Sequence, residues 1–215
     1  MTVLGELALL LRNYPELEPL REKLLQAYQM LEACFSSGGK ALLCGNGGSA
    51  ADCEHMTGEL LKGFKLRREI PRNLDFSKLE ETEAETFYQK LQGGLPAISL
   101  TGQLGYFTAW CNDADPDLVY AQQVYTLGRK RDILVAFSTS GNSANIVNAV
   151  AIARAKGVRT LGLTGSGACR MAELCDCCIQ VPAYETFRVQ EYHLPVYHAL
   201  CAMLEQHFFG KELVT

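Results

Sequence analysis

The apolar run Leu42-Leu43-Cys44 passes directly into Gly45-Asn46-Gly47-Gly48 and then into a helix-forming stretch beginning near Ser49. A short buried strand, a glycine-rich turn and a helix in immediate succession confine the chain to α/β folds that gather backbone N–H groups at a strand end. Such a turn, reinforced by a helix N-terminus, can hold the oxygens of an anion or a sugar. His55 and Glu59 follow four residues apart on the same stretch. Their side chains then leave one helix face about 6 Å apart along the axis, which suits a shared metal ion or a shared substrate.

The arrangement recurs. Ile133-Leu134-Val135-Ala136-Phe137 reads as a second buried strand, and Ser138-Thr139-Ser140-Gly141-Asn142-Ser143 opens the next helix. Four hydroxyls, a glycine and the free N–H groups of a helix start make a phosphate cradle that needs no lysine. An ordinary capped turn is the competing reading, because Ser and Thr are common at helix starts for capping alone. Two such loops after different strands are stronger together than either alone.

Strand and helix alternate through the rest of the chain. Strands are expected at 96–100, 133–137, 159–163 and 177–181, with helices at about 116–127, 143–156 and 168–174 and a final helix at about 187–208. Together with the run at Leu42 this gives a doubly wound five-stranded parallel sheet in one domain, with its ligand beyond the carboxyl ends of the strands. Residues 2–12 and 15–37 read as two leading amphipathic helices, which either pack on a partner subunit or cover their own sheet. The segment 65–94 changes character. Lys65, Arg67, Arg68 and Arg72 precede Glu80, Glu81, Glu83 and Glu85, and Phe87 and Leu91 sit four apart on a short helix. This is a charged surface excursion, either solvated or used as a lid or subunit contact.

With 48% apolar residues in 215, the chain can bury one sizeable core. A formal net charge of −4 offers no nucleic-acid surface and no attraction to anionic membranes, so any phosphate must be held by local groups. No apolar run reaches membrane-span length, and no basic region precedes Leu7–Leu11, which points to a cytoplasmic protein. The nine cysteines lie within apolar segments and are expected to be reduced core thiols, the cluster Cys169, Cys175, Cys177 and Cys178 included. In the final helix, Gln190 and His198 are eight residues apart, about 12 Å along the axis. Pro195 between them should kink that helix, and His193 and His207 are read as surface or packing residues.

These pieces together resemble the sugar isomerase (SIS) domain superfamily, and within it the phosphoheptose isomerases. The resemblance rests on Gly45-Asn46-Gly47-Gly48-Ser49 with His55 and Glu59, on Asn112-Asp113, on Ser138–Ser143, and on Arg188-Val189-Gln190-Glu191 with His198. It implies a flavodoxin-like sheet and a homotetramer with active sites between subunits. It also implies isomerisation of sedoheptulose 7-phosphate to the aldose phosphate for heptose synthesis. Sugar binding would fall on Asn46, Gly47, Gly48, Ser49, Asn112, Asp113 and Gln190, and phosphate binding on Ser138, Thr139, Ser140 and Ser143. Zinc, one ion per subunit, would be held by His55, Glu59, Gln190 and His198, with Glu59 and His198 also serving as base and acid. Gly63 stands where the family commonly carries an arginine, which shifts part of the anion binding toward Lys62, Lys65 or Arg67. Two other functions share the fold: an isomerase of another phosphosugar, and a non-catalytic adaptor of the kind that associates with the DnaA initiator. An adaptor has no need of Glu59 and His198.

Overall fold

The computed structural model describes residues 2–210. Five strands, β1 (Ala41–Cys44), β2 (Ala97–Ser99), β3 (Ile133–Phe137), β4 (Arg159–Thr164) and β5 (Cys177–Gln180), form one sheet in the order β2-β1-β3-β4-β5. Every neighbouring pair is parallel, with Leu43 opposite Val135 and Val135 opposite Leu161. Parallel strands are joined by crossovers that place helices on both faces, so β1 and β3 are buried along their whole length.

Alternate residues of each strand feed two separate cores. Ala41, Leu43, Ile133, Val135, Phe137, Leu161 and Leu163 pack with α1 (Val3–Asn13), α2 (Arg21–Ser36), α3 (Gly48–Leu61) and α9 (Thr186–Phe209). Leu42, Cys44, Leu134 and Ala136 face α6 (Val119–Leu127), α7 (Ala144–Ala155) and α8 (Arg170–Leu174). Each fully buried Leu, Ile, Val or Phe contributes about 1.5–3 kcal/mol of transfer free energy. Cys34, Cys44, Cys53, Cys169, Cys177 and Cys201 are buried thiols among these side chains. The leading helices cover their own sheet: Leu7, Leu10, Leu11, Leu24 and Leu31 lie in the first core.

Residues 15–20 and 104–113 depart from the sequence reading. Residues 15–20 form a 3₁₀ helix before α2 rather than its first turns, because Pro19 has no N–H to donate and its ring disfavours the α conformation of Glu18. The helix α5 (Leu104–Asp113) was not anticipated; it has no side-chain cap and buries no residue, so it carries neither usual signal. The segment 65–94 carries α4 (Glu81–Lys90), started by a Glu80/Glu83 capping box, and Phe76 stacks on Phe87 at 5.5 Å.

That segment is not wholly a surface excursion. Arg68 is fully buried, donating from Nε to Glu205 Oε1 at 2.8 Å and from its terminal nitrogens to the carbonyls of Leu60 and Glu59 at 2.7 and 2.9 Å. Those carbonyls lie in the last turn of α3 and lack helical partners. Glu205 in turn accepts the backbone N–H groups of Phe64, Lys65 and Leu66 at 2.7–3.0 Å. One buried ion pair therefore fastens the end of α3 to α9.

Candidate active site

The order β2-β1-β3 creates a crevice. β1 and β3 are adjacent, and the helices that follow them, α3 and α7, leave toward opposite faces of the sheet, so their two turns lie side by side above the carboxyl ends. The turns are stitched together: Asn46 and Asn145 exchange reciprocal amide hydrogen bonds at 2.9 and 3.0 Å. Asn46 thus uses its side chain to join the loops. The buried Tyr120 hydroxyl donates to Gly45 O at 2.6 Å and secures the first turn from below. Gln190 of α9 rests on Gly48 so closely that a Cβ there would fall 2.5 Å from Nε2. Only glycine permits that approach. Ser49, also expected in the cradle, is buried in the first turn of α3.

In the second turn, Ser138 Oγ accepts Gly141 N at 3.1 Å and reaches Ser143 Oγ at 3.2 Å, while Ser140 Oγ accepts Asn142 N at 3.2 Å. Thr139 O receives Gly165 N. Gly141 has φ +64° and sits against Cys169, a conformation that L side chains rarely adopt. Ser143 is the N-cap of α7 yet makes no side-chain capping bond. Ile146 N bonds Ser143 O at 3.0 Å, so the positive end of α7 is carried toward an anion by the N–H groups of Ala144 and Asn145. Residues 138–143 form a preorganised hydroxyl-lined nest.

The reactive groups meet beside these turns. His55 Nε2 is 3.3 Å from Glu59 Oε1 and 3.4 Å from His198 Nε2. Glu59 Oε2 takes a 3.0 Å bond from Lys62 Nζ, so its two oxygens face different partners. Phe64 lies 5.3 Å from the His198 ring. Burial, and then repulsion from His55, lower the His198 pKa below the usual histidine value, with Glu59 opposing them. The shift disfavours the imidazolium of His198, and a neutral imidazole can accept or donate a proton. Burial raises the Asp52 carboxyl, against a hydrogen bond from Tyr197 and the nearby His55.

Two of the separations in this cluster compare with those between the donors of a zinc ion. Four donors at zinc distances in a tetrahedron are separated by about 3.3–3.4 Å, and His55 shows separations of 3.3 and 3.4 Å from its two neighbours. Among the described residues, no three His, Cys, Asp or Glu side chains are placed so that together they could hold a metal ion. His55 is the member common to both close pairs, and the amide Gln190 stands at the edge of the same cradle. Asn112 and Asp113, at the end of α5, bond to one another at 2.8 Å; among the described residues no hydrogen bond ties them to this cluster. Of the cations that were candidates for the missing arginine's role, Lys62 is at the site, Lys65 pairs with Glu6 at 2.7 Å, and Arg67 donates to Gln89 O at 3.4 Å.

Two participants were missed from sequence. Tyr197 lies next to His198 in no recognisable motif, and its hydroxyl is 2.9 Å from His55 Nδ1. Asp52 carried a usable signal: Asp52, His55 and Glu59 follow the 3-then-4 spacing of one helix face.

The SIS domain family matches residues 10–99 and 82–165. The phosphoheptose isomerase of Rhodospirillum rubrum is 41% identical over 180 residues, covering 84% of this chain and 83% of its own. That of Helicobacter pylori is 38% identical over 195 residues, covering 91% and 89%. The solved phosphoheptose isomerase of Neisseria gonorrhoeae superposes with a TM-score of 0.73 at 33% identity, covering 95% of this chain and 97% of that one. With its crevice, paired turns and histidine–glutamate cluster, this chain belongs to the SIS domain family, among the phosphoheptose isomerases.

Proposed function

We propose that the protein is an aldose–ketose isomerase converting sedoheptulose 7-phosphate to D-glycero-D-manno-heptose 7-phosphate. The observation that carries this reading is the convergence of Glu59 and His198 on His55, at 3.3 and 3.4 Å from its Nε2, beside two turns built to hold oxygens. The nest at Ser138, Thr139, Ser140 and Ser143 takes the phosphate. The turn at Asn46–Ser49, with Gln190 and with Asn112 and Asp113 where they reach the sugar, takes the hydroxyls.

Glu59 removes the proton from C1, giving an enediol, and returns it at C2. Neutral His198 takes the proton of the O1 hydroxyl and delivers it to O2, so the ketone becomes a hydroxyl as C1 becomes the aldehyde. His55, Glu59, Gln190 and His198 form a donor set of the nitrogen and oxygen types zinc accepts. Bound zinc would add Lewis-acid polarisation of the carbonyl. The opposed partners of the two Glu59 oxygens, His55 on one side and Lys62 on the other, support a division between holding the metal and accepting the proton.

A homotetramer in the cytoplasm completes the proposal. Leu104, Tyr184 and Phe187 are 76%, 80% and 57% exposed, the kind of apolar surface that a subunit contact covers. No helix among the described residues is long and apolar enough to cross a membrane. Light scattering on the eluting protein should return about four times the 23.7 kDa chain mass.

The test is NMR of the purified protein with sedoheptulose 7-phosphate in deuterated water, with and without added zinc. Aldose formation with deuterium entering at C2 is the expected result. No exchange and no product under either condition would refute the isomerase reading.

A further inference from the structure

Tyr197 is completely buried, with its ring packed edge-on against Phe137 at 6.0 Å and His55 at 5.6 Å. Its hydroxyl stands between two polar atoms, His55 Nδ1 at 2.9 Å and Asp52 Oδ1 at 3.4 Å. The second Asp52 oxygen, Oδ2, is buried without a hydrogen-bond partner. On the far side of the imidazole, His55 Nε2 faces Glu59 Oε1 and His198 Nε2. The three groups thus form a line from a carboxylate, through a phenol, to the outer nitrogen of a histidine whose inner nitrogen points into the site.

Proton counting along this line favours one arrangement. A phenol has one proton to donate, an ionised carboxylate only accepts, and a neutral imidazole carries one N–H. If Tyr197 donated to His55 Nδ1, Asp52 Oδ1 would face a phenol lone pair, and both Asp52 oxygens would lack a donor, which is costly for buried atoms. If Tyr197 donates to Asp52 Oδ1, then His55 Nδ1–H donates to the phenol oxygen, every proton on the line has an acceptor, and only Asp52 Oδ2 stays without a donor. The Nε2 lone pair is then left open toward Glu59 and His198.

We propose that Asp52 and Tyr197 are positioning residues that hold His55 in its Nδ1–H tautomer, with the Nε2 lone pair presented to the Glu59–His198 cleft. The inference rests on the reading of His55 as a metal-holding residue only for its consequence, not for the tautomer itself. Partners of this kind on the outer nitrogen fix ring orientation and raise the basicity of a ligating histidine. This relay differs from a lone carboxylate in placing a rigid, buried aromatic ring between charge and imidazole.

The experiment uses the full chain with ¹⁵N-labelled histidine, without metal and without sugar. Two-bond ¹⁵N–¹H correlations of the His55 ring distinguish the tautomers directly. The expected result is Nδ1–H in the natural protein and loss of that preference in Tyr197→Phe, which removes one oxygen and keeps the ring. Asp52→Asn is the second variant and should act in the same direction. Titration with Zn²⁺ alone, in competition with a chromophoric chelator, should show affinity weakened about 10–100-fold in both variants. In the turnover assay kcat should fall while KM for the phosphosugar stays near its natural value. An Nε2–H tautomer in the natural protein, or a Tyr197→Phe protein whose tautomer and zinc affinity are unchanged, would overturn the proposal. A tautomer shift in a protein that turns over no phosphosugar would sustain the relay and sink the isomerase reading instead.

Discussion

Replacing Arg68 by Met tests whether the buried pair holds the site's two main helices together. Arg68 and Glu205 have side chains with no solvent exposure and meet at 2.8 Å. The substitution keeps most of the stem volume but strands Glu205 as a buried anion, supported only by the N–H groups of Phe64, Lys65 and Leu66. It also leaves the Glu59 carbonyl without its side-chain donor, while the Leu60 carbonyl keeps only the N–H of Leu95. Breaking a buried pair from one side costs about 3–5 kcal/mol. For a domain of this size that lowers Tm by about 6–20 °C. The measurement is guanidinium and thermal unfolding at fixed protein concentration, since association would add its own stabilisation. Arg72→Met is the control. Arg72 binds Glu85 in two bonds, but the side chains are 65% and 40% exposed, so the loss should stay within about 1 kcal/mol. Equal losses in the two variants, or a loss below about 1 kcal/mol at Arg68, would refute the argument that this pair locks α3 to α9.

Glu59→Gln and His198→Ala should each lower kcat by at least about 100-fold, the usual contribution of a positioned acid or base; unchanged turnover in either would remove it from the mechanism. Ser140→Ala should chiefly raise KM for the phosphosugar, and an unaltered KM would exclude the hydroxyl from the phosphate nest. Gly48→Ala should drive Gln190 from its seat, because the new Cβ would lie 2.5 Å from its Nε2, and weakened zinc and sugar binding with little change in Tm is the expected signature. His193 is buried with neither ring nitrogen hydrogen-bonded, and burial pushes its pKa down to about 4, with only a weak opposing approach of the Thr164 backbone. The unfolded chain therefore binds the proton first, and stability falls as pH drops from about 6.5 toward 4, by on the order of 3 kcal/mol. His193→Leu should flatten that slope in unfolding measurements across the same window.

The local elements were legible because their signals are local. Ile133–Phe137 is an unbroken apolar run, and its strand has the bounds read from sequence. The glycine turn and the hydroxyl turn announce themselves by residue type, and His55 with Glu59 follows from four-residue spacing on one helix. What the chain cannot state along its length is which of these pieces become neighbours. The order β2-β1-β3-β4-β5 sets the two turns side by side, because strand pairing and crossover direction depend on the packing of both sheet faces at once. His198 reaches His55 across 143 residues of sequence only when α9 lies on α3. Arg68 illustrates the limit most sharply. In a run of lysines and arginines it reads as solvated, and only the arrival of Glu205 from 137 residues away makes a buried guanidinium affordable. Tyr197 and Asp52 belong to the same class, since hydrogen-bond partners are chosen by the folded surroundings. Sequence determined most of the elements and much of the chemistry they carry, while the tertiary structure decided adjacency, because burial and pairing energies are properties of contacts between distant segments.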